Sequence, residues 1–148
     1  RVQQMLSLYK KHKCSVISAI QVAKEEVSRY GVARVKNIKG NLKQIEEIVE
    51  KPSLAKAPSR LATHGAYLLT PAIFKFLNKQ KTGQGGELWL VDAINKLVKE
   101  EKVLACPIKK GQYYDIGNKL GYLKANIDFG LKHPETKKEL KKYLKDKI

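Results

Sequence analysis

An α/β fold, a mixed sheet flanked by helices, is predicted for this chain on three observations. Segments rich in β-branched residues alternate with segments of helical periodicity along the whole length. The first strand candidate carries apolar residues on both of its sides, as a strand does when helices cover both faces of its sheet. The chain is also long enough: 148 residues, 43% hydrophobic and 30% charged, can bury one ordinary globular core.

The elements follow in order. Val2, Met5, Leu6 and Tyr9 recur at helical spacing, so the chain opens in an amphipathic helix. Residues 14–22 read as a strand with Val16, Ser18, Ile20 and Val22 on one side and Ile17 and Ala19 on the other. Lys24-Glu25-Glu26-Val27 makes a short helical turn, and Gly31 releases the chain into a strand over 32–36. Residues 37–40 read as a hairpin tip and 42–49 as the returning strand. A polar loop with two prolines follows over 52–58, then a strand over 61–69. Thr70 as N-cap and Pro71 at the first helical position lead into Ile73, Phe74 and Leu77. A glycine-rich turn over 82–86 precedes the stripe Leu90, Val91, Ile94, Leu97, Val98. Short strands at 103–108 and 113–116 are split by Lys109-Lys110-Gly111. Leu120, Leu123, Ile127 and Leu131 form a stripe from Asn118 onward. Leu140, Tyr143, Leu144 and Ile148 line the last helix, with Thr136 and Glu139 placed for a capping box. On this basis residues 1–131 form the principal part and 132–148 a C-terminal amphipathic helix for packing or oligomerisation.

Composition narrows the partners. Thirty Lys and Arg stand against 14 Asp and Glu, formally +16, which favours an anionic partner. The lysines are scattered, and those beyond residue 131 fall between apolar helix positions, as on a solvated face. Neither zinc-finger spacing nor an aromatic RNA-binding signature accompanies them, so nucleic acid is the weaker reading. No apolar run approaches the roughly 18 residues of a membrane span. Cys14 and Cys106 lack metal-ligand spacing and read as buried free thiols, which suits a reducing cytoplasm. The start at Arg1-Val2-Gln3-Gln4, already helical in pattern, reads as a cut inside a larger protein.

Four stretches carry chemistry. Glu50-Lys51-Pro52 ends a β-rich run, where a carboxylate can accept from sugar hydroxyls and an ammonium meet a phosphate. Taken alone, an exposed ion pair is the better explanation. Tyr30-Gly31-Val32 offers close backbone approach to a ligand, or a simple turn. In Tyr114-Asp115-Ile116-Gly117 the carboxylate is either a Mg²⁺ ligand or a helix N-cap. Glu87 and Asp92 flank a helix start, where capping is the plain alternative.

Order and spacing join these stretches. With Val49-Glu50-Lys51-Pro52, Leu69-Thr70-Pro71, Asp92-Ala93-Ile94 and the run Asp115 through Tyr122, nearly the whole chain resembles the C-terminal portion of bacterial-type UTP–glucose-1-phosphate uridylyltransferases. The resemblance implies the C-terminal part of a nucleotide-diphospho-sugar transferase, Rossmann-like fold. It implies that Tyr30, Gly31, Glu50 and Lys51 bind the sugar phosphate: the Gly31 backbone against the glucosyl ring, Glu50 on its hydroxyls, Lys51 on the phosphate and in catalysis. Asp115 would be a metal ligand for Mg²⁺. The substrates would be UTP and glucose 1-phosphate, the products UDP-glucose and pyrophosphate, and the assembly a homo-oligomer in the cytoplasm.

The family's glycine-rich loop for the UTP phosphates and its upstream aspartate pair have no counterpart here, so the chain alone is expected to be inactive. A sheet short of strands is also expected to expose edges and to associate. Ala66, Trp89 and Val91 stand where the family carries arginine, glutamine and threonine, and altered packing is the expected reason. Another sugar-1-phosphate nucleotidyltransferase, a basic nucleic-acid-binding module and a non-catalytic assembly remnant are the alternatives.

Overall fold

The computed structural model describes residues 1–39, 42–80, 86–108 and 113–147. The hairpin tip at Gly40, most of the glycine-rich turn, the Lys109-Lys110-Gly111 break and Ile148 therefore lie outside the described residues. The chain divides into two compact units, Arg1–Lys109 and Lys110–Ile148.

The first unit holds α1 (Val2–His12), β1 (Ser15–Gln21), a 3₁₀ segment (Lys24–Arg29), β2 (Gly31–Asn37), β3 (Lys43–Glu50), β4 (Leu61–Leu68), α2 (Ile73–Leu77), α3 (Leu90–Glu100) and β5 (Val103–Pro107). The sheet is mixed: β1 and β5 run parallel, and the other pairs are antiparallel. Its order, β1-β4-β2-β3-β5, closes on itself as a barrel. That corrects the expectation of open edges. β2 meets β4 through Val32 and Ala62, and β3 meets β5 through Lys43 and Gln44, so each described strand has two neighbours. Beyond Gln44 β3 runs on without β5. There Asn95 of α3 covers the bare backbone, accepting from the Ile48 N–H and donating to its carbonyl, both at 2.8 Å.

β1 is buried on both faces, as its apolar pattern requires. Ile17 and Ala19 join Ala33, Ile45, Ile48 and Leu61 beneath Ile73 and Phe76 of α2 and Ala93, Ile94 and Leu97 of α3. Val16 faces the other way, with Met5 of α1, Cys14, Leu104 and Cys106. Each large aliphatic buried this way contributes about 1.5–3 kcal/mol. Neither cysteine is in a disulfide, both are buried, and burial pushes the Cys14 thiol up.

The second unit holds α4 (Lys119–Gly130) and α5 (Lys137–Lys145). They pack closely: a Cβ on Gly130 would come within 2.6 Å of Leu140 Cδ2, and the Thr136 hydroxyl donates to the Gly130 carbonyl at 2.8 Å.

Three local readings need correction. Thr70 does not cap α2. Its hydroxyl donates instead to Glu101 at 2.7 Å, beside Ser15, and the helix begins at Ile73 after Pro71 and Ala72 have turned the chain. The capping box at α5 does not form, because the Thr136 hydroxyl is spent on Gly130. Described residues 113–116 form no strand, because the chain there is already bending into the cap of α4.

Candidate functional site

The strand pairing assembles most of the site. Gly31 opens β2 opposite Glu50, the last residue of β3. On the other flank β4 runs antiparallel to β2, with Val32 opposite Ala62, which brings Thr63 beside Gly31. The Thr63 hydroxyl donates to the Gly31 carbonyl at 3.1 Å. One step inward on the same face lie Leu61, Ala33 and Ile48 of the core. The row Thr63, Gly31, Glu50 is thus the polar end of an apolar face covered by α2 and α3.

Gly31 is a structural necessity of that row. A Cβ there would lie 2.8 Å from Glu50 Oε2, 3.0 Å from Thr63 Oγ1 and 3.2 Å from Ile48 Cγ2. The missing side chain lets a carboxylate and a hydroxyl lean over bare backbone. Tyr30 contributes its main chain, since its carbonyl accepts from Lys51 N–H at 3.1 Å and so clamps the strand ends together. Its ring packs on Val22, Val27, Val32 and Ala62 with the Arg29 guanidinium 5.7 Å from its centre.

Lys51 is exposed and holds φ of 44°, the left-handed region, immediately before Pro52. Proline disfavours helical geometry in the residue before it, and a side chain disfavours left-handed geometry anywhere. The only other described non-glycine residue with positive φ is Lys13, at the C-terminus of α1. Backbone strain of this kind collects at binding sites.

Tyr67 completes the first-unit cluster and was not marked as a site residue by the sequence. Burial raises its pKa, hydrogen bonding with Thr63 and the Gly65 backbone opposes the rise, and the Glu50 charge adds to it. Thr63 carried no signal of its own. It is read out only by the register of β4 against β2. Ala66 and Val91 pack against core clusters, which supports packing as the reason for those two departures, while Trp89 is exposed and nothing in the structure explains its departure.

Asp115 belongs to the second unit and sits in a tightly specified turn. Its Oδ1 accepts from Gly117 N–H at 3.1 Å, and its carbonyl accepts from the Asn118 side chain at 2.9 Å. Asn118 Oδ1 in turn caps α4 by accepting from Gly121 N–H at 2.7 Å. A Cβ on Gly121 would fall 2.0 Å from the Asp115 carbonyl oxygen, so no side chain fits there. The preceding Tyr114 donates to Asp128 at 2.6 Å and packs on Phe129. That bond, to a carboxylate, pushes the Tyr114 hydroxyl up to about 12. The cap therefore belongs to Asn118, and the Asp115 carboxylate is presented by the turn before it.

Among the described residues no group of three or more His, Cys, Asp or Glu side chains could hold a metal by itself. A single oriented carboxylate fits Mg²⁺, which takes one or two carboxylates and completes its shell with water and phosphate oxygens. No described helix is long and apolar enough to cross a membrane.

These features can be set beside known proteins. The chain is 45% identical over 143 residues to a UTP–glucose-1-phosphate uridylyltransferase of Streptococcus pneumoniae, covering 96% of this chain and 48% of that protein. A crystal structure of a UDP-glucose pyrophosphorylase complexed with UDP-glucose matches at a TM-score of 0.82 and 39% identity, over 89% of this chain and 50% of that one. The UDP-glucose pyrophosphorylase of Acinetobacter baumannii matches at a TM-score of 0.85 and 32% identity, over 99% of this chain and 50% of that one. The chain thus spans about half the length of the relatives it matches. The nucleotidyl transferase family matches residues 1–130, which carry every candidate site residue from Tyr30 to Asp115, and the chain belongs to that family.

Proposed function

We propose that this chain supplies the glucose 1-phosphate side of an enzyme that forms UDP-glucose and pyrophosphate from UTP and glucose 1-phosphate. The observation that carries the reading is the joint placement of Gly31, Glu50 and Lys51. A bare backbone floor, a carboxylate above it and a strained, exposed lysine next in sequence suit a sugar ring, its hydroxyls and its phosphate. The complex of a related UDP-glucose pyrophosphorylase with UDP-glucose supports the same choice.

In this reading the sugar lies against the Gly31 backbone, Glu50 accepts from its hydroxyls, and Lys51 neutralises the phosphate. A phosphate oxygen of glucose 1-phosphate attacks the α-phosphorus of UTP, and pyrophosphate leaves. The chain's contribution is positioning and charge stabilisation. The divalent ion is Mg²⁺, with Asp115 as one ligand, and when bound it neutralises charge on the phosphates. Residues 1–131 carry this role, and 132–148 serve packing or assembly. The assembly is a homo-oligomer, a reading supported by Leu120, Leu123, Phe129 and Tyr143, all exposed on α4 and α5. Two cysteines outside any disulfide suit a cytoplasmic setting.

The test is an NMR titration of the chain with glucose 1-phosphate. Shift changes are expected at Gly31, Glu50 and Lys51, and Lys51→Ala is expected to abolish them. Saturable shifts confined to the lysine-rich helices would refute the reading. The chain alone is expected to form no measurable UDP-glucose. DNA or RNA binding that falls steeply with salt, without sugar-phosphate binding, would favour the nucleic-acid alternative.

A further inference from the structure

We propose that Thr63 and Tyr67 form, with Glu50, the wall that reads the sugar hydroxyls, so that these two residues set sugar selectivity at this site. The inference rests on the proposed sugar-phosphate site and extends it to two residues that the sequence motifs do not mark.

Glu50 accepts hydrogen bonds but donates none, whereas a sugar hydroxyl both donates and accepts. A site that holds a sugar by several hydroxyls needs groups of the second kind close to the carboxylate. Two are present. Glu50 Oε2 and Thr63 Oγ1 both lie within 3.0 Å of the point where a Gly31 side chain would begin, so both hang over the same bare backbone. The bond from Thr63 to the Gly31 carbonyl holds that hydroxyl over the bare backbone.

β4 brings the second hydroxyl alongside by a bulge. Ala19 pairs with Thr63, but Ile17, two residues back, pairs with Tyr67. Two additional residues are looped out between them, and Gly65 at φ 63° makes the bend. Tyr67 thereby takes the next place after Thr63 on the face that carries Gly31 and Glu50. It is 37% exposed, enough to be reached from solvent. It shares a hydrogen bond with Thr63 and feels the Glu50 charge, so its hydroxyl belongs to the same wall.

Binding of glucose 1-phosphate and of inorganic phosphate to the 148-residue chain, by NMR titration, tests this with Thr63→Val, Thr63→Ser, Tyr67→Phe and Glu50→Ala. Thr63→Val and Tyr67→Phe are each expected to weaken glucose 1-phosphate roughly 10-fold and leave inorganic phosphate unchanged. Thr63→Ser should restore binding. A purely structural role for Thr63 would lower both ligands together, which would overturn its part in selectivity. Tyr67→Phe, at a partly exposed position, keeps the test sound if Thr63→Val fails to fold. Unchanged glucose 1-phosphate affinity in both variants, with Glu50→Ala still damaging, would refute the proposal and leave the site reading standing. If the parent chain binds glucose 1-phosphate no better than phosphate, the site reading itself falls, and the proposal with it.

Discussion

Lys51→Gly should make the protein more stable and worse at binding. Lys51 holds φ of 44° with a full side chain, before a proline. Left-handed geometry costs an ordinary L-residue roughly 1–2 kcal/mol, and glycine escapes that cost. Glycine also gives the unfolded chain about 0.4–1 kcal/mol more entropy to lose. The difference leaves a gain of about 0.5–1 kcal/mol, or roughly 2–4 °C in Tm for a chain of this size. The Lys51 N–H to Tyr30 carbonyl bond survives, because it is a main-chain bond. Binding should move the other way. A hydrogen bond to a charged group is worth about 1.5–3 kcal/mol, so losing the ammonium should weaken glucose 1-phosphate roughly 10- to 100-fold. Lys13→Gly is the control. It has φ of 51° at the end of α1, its N–H already bonded to the Tyr9 carbonyl at 2.7 Å, and no place in the site. It should stabilise by a similar amount and leave binding untouched. Thermal denaturation and a glucose 1-phosphate titration on the same samples measure both effects. Destabilisation by Lys51→Gly would show that the strain reasoning is wrong, and unchanged binding would show that the ammonium does not meet the phosphate.

Other outcomes follow from the same geometry. Gly31→Ala should destabilise by about 1–3 kcal/mol, because its Cβ crowds buried Thr63 and Ile48 as well as the movable end of Glu50, and it should weaken glucose 1-phosphate at least roughly 10-fold by displacing that carboxylate. In Gly121→Ala the Cβ would meet main chain; a loss of about 2 kcal/mol or more is expected, against about 1 kcal/mol for Asn118→Ala, read by hydrogen exchange in α4. His64 is held below its ordinary pKa, first by burial and then by the Arg1 charge. Below about pH 6.5 the unfolded chain therefore takes up a proton that the folded chain resists, and stability should fall with pH until the lowered folded pKa is passed. His64→Gln should flatten urea midpoints measured between pH 8 and 5.

Much of the fold was legible because the decisive patterns are local. The two-sided apolar run of β1, the helical stripes of α1 and α3 and the strand breaks at Gly31 and Pro52 all act within a few residues. What the sequence hid were competitions for one group. Thr70 and Thr136 are sound caps by their neighbours, but Glu101 and the Gly130 carbonyl are better partners and lie far from them in sequence or across a helix pair. Barrel closure was hidden for the same reason. It depends on contacts as small as Val32 with Ala62, and no residue near either position announces it.

The site divides along the same line. Glu50, Lys51 and Gly31 were legible as a motif set, but the reason for the glycine was not. Gly31 reads in sequence as a place for a ligand to approach. In the structure the same space also admits the Glu50 carboxylate and the Thr63 hydroxyl, so the glycine serves the arrangement of the wall as well as the floor. Thr63 looks like an ordinary strand threonine until β4 is laid against β2, and Tyr67 joins it only through a two-residue bulge. Asp115 shows the converse. Its sequence context offered metal ligand or N-cap, and the structure gives the cap to Asn118. A carboxylate relieved of capping, in a turn too tight for any side chain at Gly121, is positioned by more constraint than a surface acid needs. That excess of constraint is the best structural ground for assigning Asp115 a ligand, and it predicts that Asn118→Ala weakens Mn²⁺ binding, measured by paramagnetic relaxation, even though Asn118 itself bears no charge.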